Sequence, residues 1–178
     1  MRDQCEFEDT ALTAIEGRWF GKYRGKVMDN QDPEDRGRLL VTVPAPLQDE
    51  EVWAVPCVPY AGPGVGTYMI PPIGARVWVE FEGGDTCLPI WSGCYWASDE
   101  APETNPGLKV IKTEKFTITI DDNQGILTIE NREGTRLEID GTKMSVEAVA
   151  QIIHRVGLMK TTLDVTKFDV HDGAMSVS

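Results

Sequence analysis

Residues 17–96 contain five short runs of alternating apolar and polar residues, and this pattern constrains the fold more than any other feature of the chain. The runs are RWFGKYRGKVMD, RGRLLVTV, EVWAVPCV, ARVWVEF and TCLPIWSGCYW, and turn-forming clusters such as DNQDPEDRG, APLQDE and AGPGVG lie between them. A helix would need apolar residues every three to four positions, which these runs do not supply. The segment therefore predicts short β-strands that form a small antiparallel barrel.

Five strands in so short a segment favour the five-stranded Greek-key barrel known as the OB fold, which we assign to residues 17–96. The last hairpin, VWVEFEGGDTCLPIWSGCYW (77–96), is expected to turn at the Gly-Gly-Asp sequence of residues 83–85. Because proline has no backbone N–H, Pro89 is expected to restrict its strand to a sheet edge or a bulge. The side chains expected to alternate into the barrel are Val77, Val79 and Phe81.

The composition changes after this hairpin. Residues 97–108 begin with ASDEAPETNPG, which is rich in Pro, Glu and Asn and predicts a linker. Residues 109–178 continue with the runs KFTITID, GILTIEN, TRLEID and KMSVEA, separated by the turns DNQG, REG and DGT. Their apolar centres recur roughly every nine or ten positions, which is typical of stacked β units. These centres are Ile118, Leu127, Leu137 and Val146.

Strands this short, with two or three apolar residues each, cannot form a two-sided core within one chain. One solution is that several chains wrap around a common axis and bury these residues in an interlocked β-prism, at roughly 1.5 to 3 kcal/mol per Ile, Leu or Val. The other is a meander that folds back on the barrel within one chain, which would leave a long exposed strand edge. We expect the oligomeric prism.

Two segments near the C-terminus interrupt the repeat. The sequence VAQIIHRVGLMK (149–160) spaces its apolar residues in a way that fits a helical turn as well as another pair of strands. In TTLDVTKFDV the apolar phase changes, which a bulge or a turn at Thr166 and Lys167 would explain.

The charge of the chain argues against a nucleic-acid partner. The net charge is −12 and the pI is near 4.6, so a phosphate backbone would be repelled unless a local basic patch overrode the overall field. An OB protein that binds single-stranded nucleic acid is the alternative function, because aromatic and basic residues alternate at the start of the first strand. We favour an arrangement in which the aromatic residues face the core and the basic residues contact an acidic protein. The aromatic residues are Trp19, Phe20 and Tyr23, and the basic residues are Lys22, Arg24 and Lys26.

The start of the chain shows no targeting signal. Residues 1–16 form an acidic, weakly amphipathic lead-in without the basic and apolar regions of a signal peptide, and no run reaches the roughly 20 apolar residues of a membrane span. We therefore expect the protein to be made and folded in a cytoplasm.

Catalytic and metal-binding patterns are weak throughout the sequence. No zinc spacing connects Cys5, Cys57, Cys87 and Cys94, so we expect free, buried thiols and no cofactor. GPGVGT (62–67) lacks the Lys-Ser/Thr of a phosphate-binding loop and predicts a flexible inter-strand loop. No arrangement of residues suggests a catalytic site, so we expect no enzymatic activity. The acidic residues expected to form turns are Asp29, Asp32, Asp35 and Asp85.

The two histidines differ in their surroundings. His154 lies in an apolar run and is expected to be partly buried. His171 lies near the C-terminus, where copies from three chains could meet and bind a metal, although a second nearby histidine is lacking.

Two ordered motifs in this region resemble a known family, the baseplate spike proteins of contractile phage tails (baseplate assembly protein V type), which are similar to the valine-glycine repeat spikes of type VI secretion. The first motif is GKYRGKVMDNQDPEDRGRLLVTVP and the second is PPIGARVWVEFEGGDTCLPIWSGCYW. The matching positions of the first are Gly25, Val27, Asp32, Pro33, Gly37, Arg38, Val41 and Pro44. Those of the second are Pro72, Gly74, Val77, Val79, Phe81, Gly84, Asp85, Pro89 and Gly93.

The resemblance implies an OB-fold collar bound to a central tail hub protein and followed by a homotrimeric, triple-stranded β-helix over residues 109–178. Such a needle pierces the target cell envelope when the sheath contracts, and it contacts that envelope only transiently. The chain has no spare length for the lysozyme or effector domain of some relatives. It also lacks their terminal histidine pair, so either a separate tip-capping protein covers the end or the tip is free of metal. The implied location is the tail baseplate of a virion or a related contractile particle.

Overall fold

The computed structural model of the chain describes residues 17–48, 50–171 and 174–177. The lead-in predicted for residues 1–16, with Cys5, lies outside the described residues. The chain divides into two compact units, of which the first ends at Glu100 and the second begins at Ala101. Among the described residues, no helix has the length and apolar character needed to cross a membrane.

The first unit contains a closed five-stranded barrel. The described part of the unit has seven strands, namely β1 (Tyr23–Asp29), β2 (Leu39–Thr42), β3 (Glu51–Pro56), β4 (Ala61–Gly62), β5 (Val65–Gly66), β6 (Arg76–Phe81) and β7 (Pro89–Cys94), of which β4 and β5 form a separate two-stranded sheet. The barrel order is β1-β2-β3-β7-β6, and β6 pairs again with β1. All barrel pairs are antiparallel except β3 and β7, which are parallel. The predicted all-β fold with an OB-like barrel of five strands is confirmed.

The barrel core follows from the period-two alternation of the strands. Along β6, for example, Val77, Val79 and Phe81 are buried while the residues between them are not, as the sequence predicted. Each fully buried Val or Leu contributes roughly 1.5 to 3 kcal/mol relative to an exposed position. The apolar residues buried in this core are Val27, Leu39, Val41, Val43, Ala54, Val77, Val79, Phe81 and Trp91.

The hairpin between β6 and β7 corrects one expectation. A 3-10 turn at Glu82–Gly84 connects the strands, as the Gly-Gly-Asp sequence indicated. Pro89 is buried in β7 between β3 and β6, so the expectation of an edge or bulge at this residue is wrong. Proline is tolerated because it is the first residue of the strand. The hairpin does have a register shift, but it lies between Val77 and Val79 of β6. The facing part of β7 includes Gly93, which has φ +129°.

Two short elements connect the barrel strands. Helix α1 (Pro44–Leu47) lies between β2 and β3, and its prolines occupy the first turn, where the missing N–H is tolerated. The GPGVGT sequence is an inter-strand loop that includes the two-residue hairpin β4–β5. Gly66 has φ +149°, and a Cβ there would lie 2.7 Å from the carbonyl oxygen of Tyr60, so this close turn requires glycine.

The second unit begins with a five-stranded antiparallel meander. Its strands are β8 (Leu108–Lys112), β9 (Phe116–Asp121), β10 (Ile126–Asn131), β11 (Arg136–Ile139) and β12 (Met144–Glu147). Each strand pairs with its neighbours in sequence. The register aligns three of the four predicted apolar centres, Ile118, Leu137 and Val146, in one row across the sheet. In β10 this row passes through Ile129, whereas the predicted centre Leu127 lies in the neighbouring row, opposite Ile120 and Ile139.

A four-stranded antiparallel sheet follows, formed by β13 (Gln151–Val156), β14 (Met159–Asp164), β15 (Phe168–Val170) and β16 (Met175–Val177). The segment 149–160 is thus a pair of strands, and the helical alternative is wrong. Val156 pairs with Met159 around a two-residue turn in which Gly157 has φ +58°.

The turn expected at Thr166 and Lys167 is confirmed. A carboxylate oxygen of Asp164 accepts hydrogen bonds from the backbone N–H groups of Thr166 (2.8 Å) and Lys167 (2.9 Å), which closes the connection between β14 and β15.

Candidate functional site

The loop between β1 and β2 is built around the carboxylate of Asp32, whose side chain is only 4% exposed. Its Oδ1 accepts hydrogen bonds from Arg38 Nη2 (2.7 Å), Arg38 Nε (2.9 Å) and the backbone N–H of Glu34 (3.0 Å). Its Oδ2 accepts from the backbone N–H groups of Arg36 (2.8 Å) and Arg38 (3.1 Å). The Arg38 guanidinium also lies 5.4 Å from the ring centroid of Trp53 on β3. The loop is therefore fastened to the barrel wall.

These contacts change the protonation of Asp32. Its hydrogen bonds to the Arg38 guanidinium are the main cause that holds the pKa of Asp32 well below its ordinary value of 3.8. Burial opposes this shift, and three backbone N–H donors add to it. The turn-forming role predicted for Asp32 is confirmed, but sequence reasoning missed the buried ion pair.

Other predicted turn formers occupy the expected positions. Asp29 accepts from the backbone N–H of Gln31 at 2.9 Å, and Asp85 accepts from that of Cys87 at 3.0 Å. Asp35 lies in the same loop as Asp32 with φ +53°, a left-handed conformation that Asp tolerates better than most residues. These three residues therefore belong to turns, and the carboxylates of Asp29 and Asp85 accept hydrogen bonds there.

An open cleft of about 500 Å³ lies beside this loop, between it and the β4–β5 segment. Its lining is mostly apolar, and two of its aromatic side chains, Tyr60 and Tyr68, are 59% and 80% exposed. Because the charged residues at its rim are Asp35 and Arg36 only, the cleft holds no constellation for acid–base or nucleophilic chemistry.

The aromatic residues of the first strand are divided between the core and the solvent. Trp19 and Tyr23 pack against the barrel core, and Tyr23 lies 5.7 Å from the ring of Phe81. Phe20 is 57% exposed, so the expectation that the whole aromatic set faces the core is wrong for this residue. Phe20 precedes β1, where the strand alternation does not yet apply.

The basic residues of this strand point outward. Lys22 forms an ion pair with Glu80 on β6 and donates to Ser92 Oγ on β7 at 2.9 Å. The Arg24 guanidinium lies over the rings of Trp78 and Tyr95, while Lys26 is exposed. These contacts place the whole basic set on the outer barrel wall.

The cysteines do not form the buried set that was expected. The three described cysteines are free and exposed. Cys57 follows β3, Cys87 lies in the turn between β6 and β7, and Cys94 is the last residue of β7. Cys5 lies outside the described residues. No group of three or more His, Cys, Asp or Glu residues in the described part of the chain is arranged to hold a metal ion.

The two histidines lie in the second sheet of the second unit. His154 is exposed in the single chain, contrary to expectation, and its Nδ1 is 3.2 Å from Thr161 Oγ1 on the adjacent strand. His171 is exposed at a turn with φ +50°, and its backbone N–H donates to the carbonyl of Lys160 at 2.7 Å. Whether copies of His171 meet at a tip stays a prediction.

The meander of the second unit exposes an apolar face, which we define as the side of β8–β12 that carries the aligned Ile, Leu and Val residues. Large apolar side chains on this face are extensively exposed, although side chains of this type usually lie in a protein core. They include Ile111 (54%), Phe116 (55%), Ile120 (46%), Ile139 (38%), Met144 (67%) and Val146 (47%). These exposed side chains make this face the candidate interface of the second unit.

Comparison with known proteins gives a family for the barrel. Residues 23–96 match the family described as the Type VI secretion system/phage-baseplate injector OB domain. The match begins with β1 and ends two residues after β7, so it covers the closed barrel and leaves the second unit outside. No curated protein matches the chain. The barrel match supports a baseplate spike family for this chain.

Proposed function

We propose that the chain is a non-enzymatic central spike of a contractile injection machine, in which the barrel binds the tail hub and the second unit forms the needle of a homotrimer. The observation that carries this proposal is the exposed apolar face of β8–β12 in a chain whose barrel is similar to an injector OB domain. A phage tail baseplate or a related contractile particle is the proposed location.

The apolar face supports association of several chains because its apolar residues form rows across the strands. One row runs through Ile111, Ile118, Ile129, Leu137 and Val146, one residue from each strand. Burial of such residues contributes roughly 1.5 to 3 kcal/mol each, and a row that crosses all five strands repeats this gain. Copies of the same face, arranged around an axis, would remove these rows from water.

The opposite face of the meander is suited to solvent. Thr117 pairs with Glu130, and Thr128 pairs with Glu138 across the strands. Arg136 forms ion pairs with Glu130 and Glu138 and lies above Thr128, which is 8% exposed. This face can therefore remain hydrated while the apolar face is buried, which is what the outer wall of a needle requires.

The proposed mechanism is mechanical. A closed assembly in which strand edges and apolar faces are shared between chains resists unfolding, because no chain can separate without breaking contacts with the others. When the sheath contracts, the needle would transmit the load to the target envelope and contact that envelope only during passage. Such a needle would work without a catalytic residue or a cofactor.

The tip of the needle has two proposed forms. A separate tip-capping protein would cover the end formed by β16, or the end would remain bare. His171 is the one candidate for a metal ligand that the sequence offered there, and it belongs to the turn before β16.

The oligomeric state of the native full-length chain tests the proposal. Light scattering on the purified protein should give a mass three times the 19.7 kDa of one chain. A monomeric mass over the same concentrations would contradict it, because the apolar face would then remain exposed in the native protein.

A further inference from the structure

We infer that the outer wall of β1 and β6 is a docking surface for an acidic segment of a partner protein. We call this surface the basic face and define it by Arg24, Lys26, Arg76, Trp78 and Tyr95. The inference deepens the proposed function, since it states where the barrel would meet its hub and what chemistry that hub would present.

Strand pairing brings these residues together from three distant parts of the sequence. Arg24 lies opposite Trp78, and Lys26 lies opposite Arg76. The residue between the two cations of β1, Gly25, is buried, so the alternation of the strand turns Arg24 and Lys26 outward. Tyr95 joins them because its ring packs against that of Trp78, with centroids 4.8 Å apart and ring planes tilted by 39°.

The Lys26–Arg76 pair is unfavourable in the protein by itself. Like charges directly opposite each other on neighbouring strands destabilise a sheet. Arg76 has one ion pair, with Glu100 at 3.5 Å, and both of those side chains are about half exposed. No carboxylate in the described part of the chain lies within the 4.0 Å ion-pair distance of Lys26. An incoming carboxylate would relieve this repulsion.

Arg24 is held in position by aromatic rings, and no described residue accepts a hydrogen bond from its guanidinium. Its guanidinium carbon lies 5.9 Å from the Trp78 ring and 5.5 Å from the Tyr95 ring. Cation–π contacts of this kind fix the plane of the guanidinium but leave its N–H groups available for a carboxylate. Because the side chain is already ordered, binding costs it less conformational entropy.

The other basic side chains of the barrel show why this face is distinct. Lys22 is paired with Glu80, Arg38 with Asp32, and Arg36 with Glu34. These ion pairs lie within the chain, whereas on the basic face Arg76 alone has an ion-pair partner among the described residues, Glu100. The basic face is therefore a local positive surface on a chain with a net charge of −12.

An acidic protein fits this face better than a nucleic acid does. A polyphosphate strand would be repelled by the overall charge of the chain. Bases would also need open ring faces for stacking, whereas Trp78 and Tyr95 pack against each other and the Arg24 guanidinium lies over both rings. Arg, Trp and Tyr are the residues that most often dominate the energetics of protein–protein interfaces.

Fluorescence anisotropy with the full-length protein tests the inference. The probe is a short labelled peptide of alternating Glu and Gly, and a labelled oligothymidylate serves as the second probe. At low salt the wild-type chain should bind the peptide, and Lys26→Gln/Arg76→Gln should weaken binding at least about tenfold. Lys112→Gln/Lys115→Gln, which makes the same change of charge in the second unit, should bind like wild type.

Two further readouts separate docking from a structural role. Lys26→Gln/Arg76→Gln should melt at the wild-type temperature or slightly above it, because the like-charge repulsion is removed. Arg24→Lys keeps the charge but loses the planar fork, so it should reduce peptide binding while leaving the fold intact.

Equal peptide affinity of the wild type and Lys26→Gln/Arg76→Gln would overturn the inference. Tighter binding of the oligothymidylate than of the peptide would also overturn it and would indicate that the basic face binds nucleic acid. Either result would leave the mass measurement of the native chain untouched, so the inference and the proposed spike function can fail separately.

Discussion

Replacement of Ile120 by Asp places a charge on the apolar face and should prevent chains from assembling. Ile120 lies in β9 opposite Leu127 and is 46% exposed in the single chain. Full burial of an Ile side chain is worth roughly 1.5 to 3 kcal/mol, so covering its exposed half contributes roughly 0.7 to 1.4 kcal/mol per chain. Three chains would lose roughly 2 to 4 kcal/mol together, which corresponds to at least about 30-fold in the association constant. Desolvation of three carboxylates adds to this loss.

Sedimentation equilibrium over a range of protein concentrations measures the effect. The matched control is Thr119→Asp, which introduces the same side chain one residue earlier, on the polar face of the same strand. We expect Ile120→Asp to shift to the mass of one chain and Thr119→Asp to keep the wild-type mass. If Ile120→Asp also kept the wild-type mass, or if both variants dissociated equally, the assignment of the apolar face as the interface would be refuted.

Two further predictions concern the barrel. Asp32→Asn should lower the melting temperature at neutral pH, whereas Asp35→Asn should not. The pKa of Asp32 is lowered in the folded state, so the ionised carboxylate stabilises the fold fully above about pH 3.8. This stabilisation is lost as the pH falls through the folded-state pKa of Asp32. The difference between wild type and Asp32→Asn should therefore shrink in melts below that pH. In urea unfolding, Gly84→Ala should destabilise the barrel more than Gly83→Ala. Both glycines have positive φ, so both variants strain the backbone. Only a Cβ at Gly84 would also lie 3.0 Å from the backbone nitrogen of Trp19. Equal losses for the two glycine variants would show that the contact has no role.

Period-two alternation was sufficient to predict the barrel strands. Along ARVWVEF, for example, burial of every second residue, Val77, Val79 and Phe81, follows directly from that pattern. The segment 149–160 was ambiguous because Ile152, Ile153 and Val156 also fit helical spacing. The glycine at position 157, in a two-residue turn with positive φ, was the signal that favoured a hairpin.

Side-chain contacts that depend on the path of the folded backbone could not be predicted from local sequence patterns. Asp32 was recognised as a turn former, but its ion pair with Arg38 depends on a loop that folds back over six residues. The cluster of Arg24, Trp78 and Tyr95 depends on the register of β1 against β6, which a single sequence does not specify. The sequence predicted one part of the candidate site, the alternating basic residues of the first strand. The contact of Arg24 with Trp78 and Tyr95 is seen only in the folded barrel.

The exposed cysteines show the same limit. Free cysteine is often buried, and the runs around these residues are apolar, so burial was a reasonable expectation. Their positions at strand ends and turns decide the outcome, and those boundaries are the least certain part of a sequence-based prediction.

Electron microscopy of contractile particles from cells that produce this chain tests the central claim most directly. Particles labelled with an antibody against the purified protein should carry the label at the baseplate end, and averaged images should place the chain on the particle axis. Particles that lack the chain, or that carry the label away from the axis, would contradict the proposal that it is the central spike.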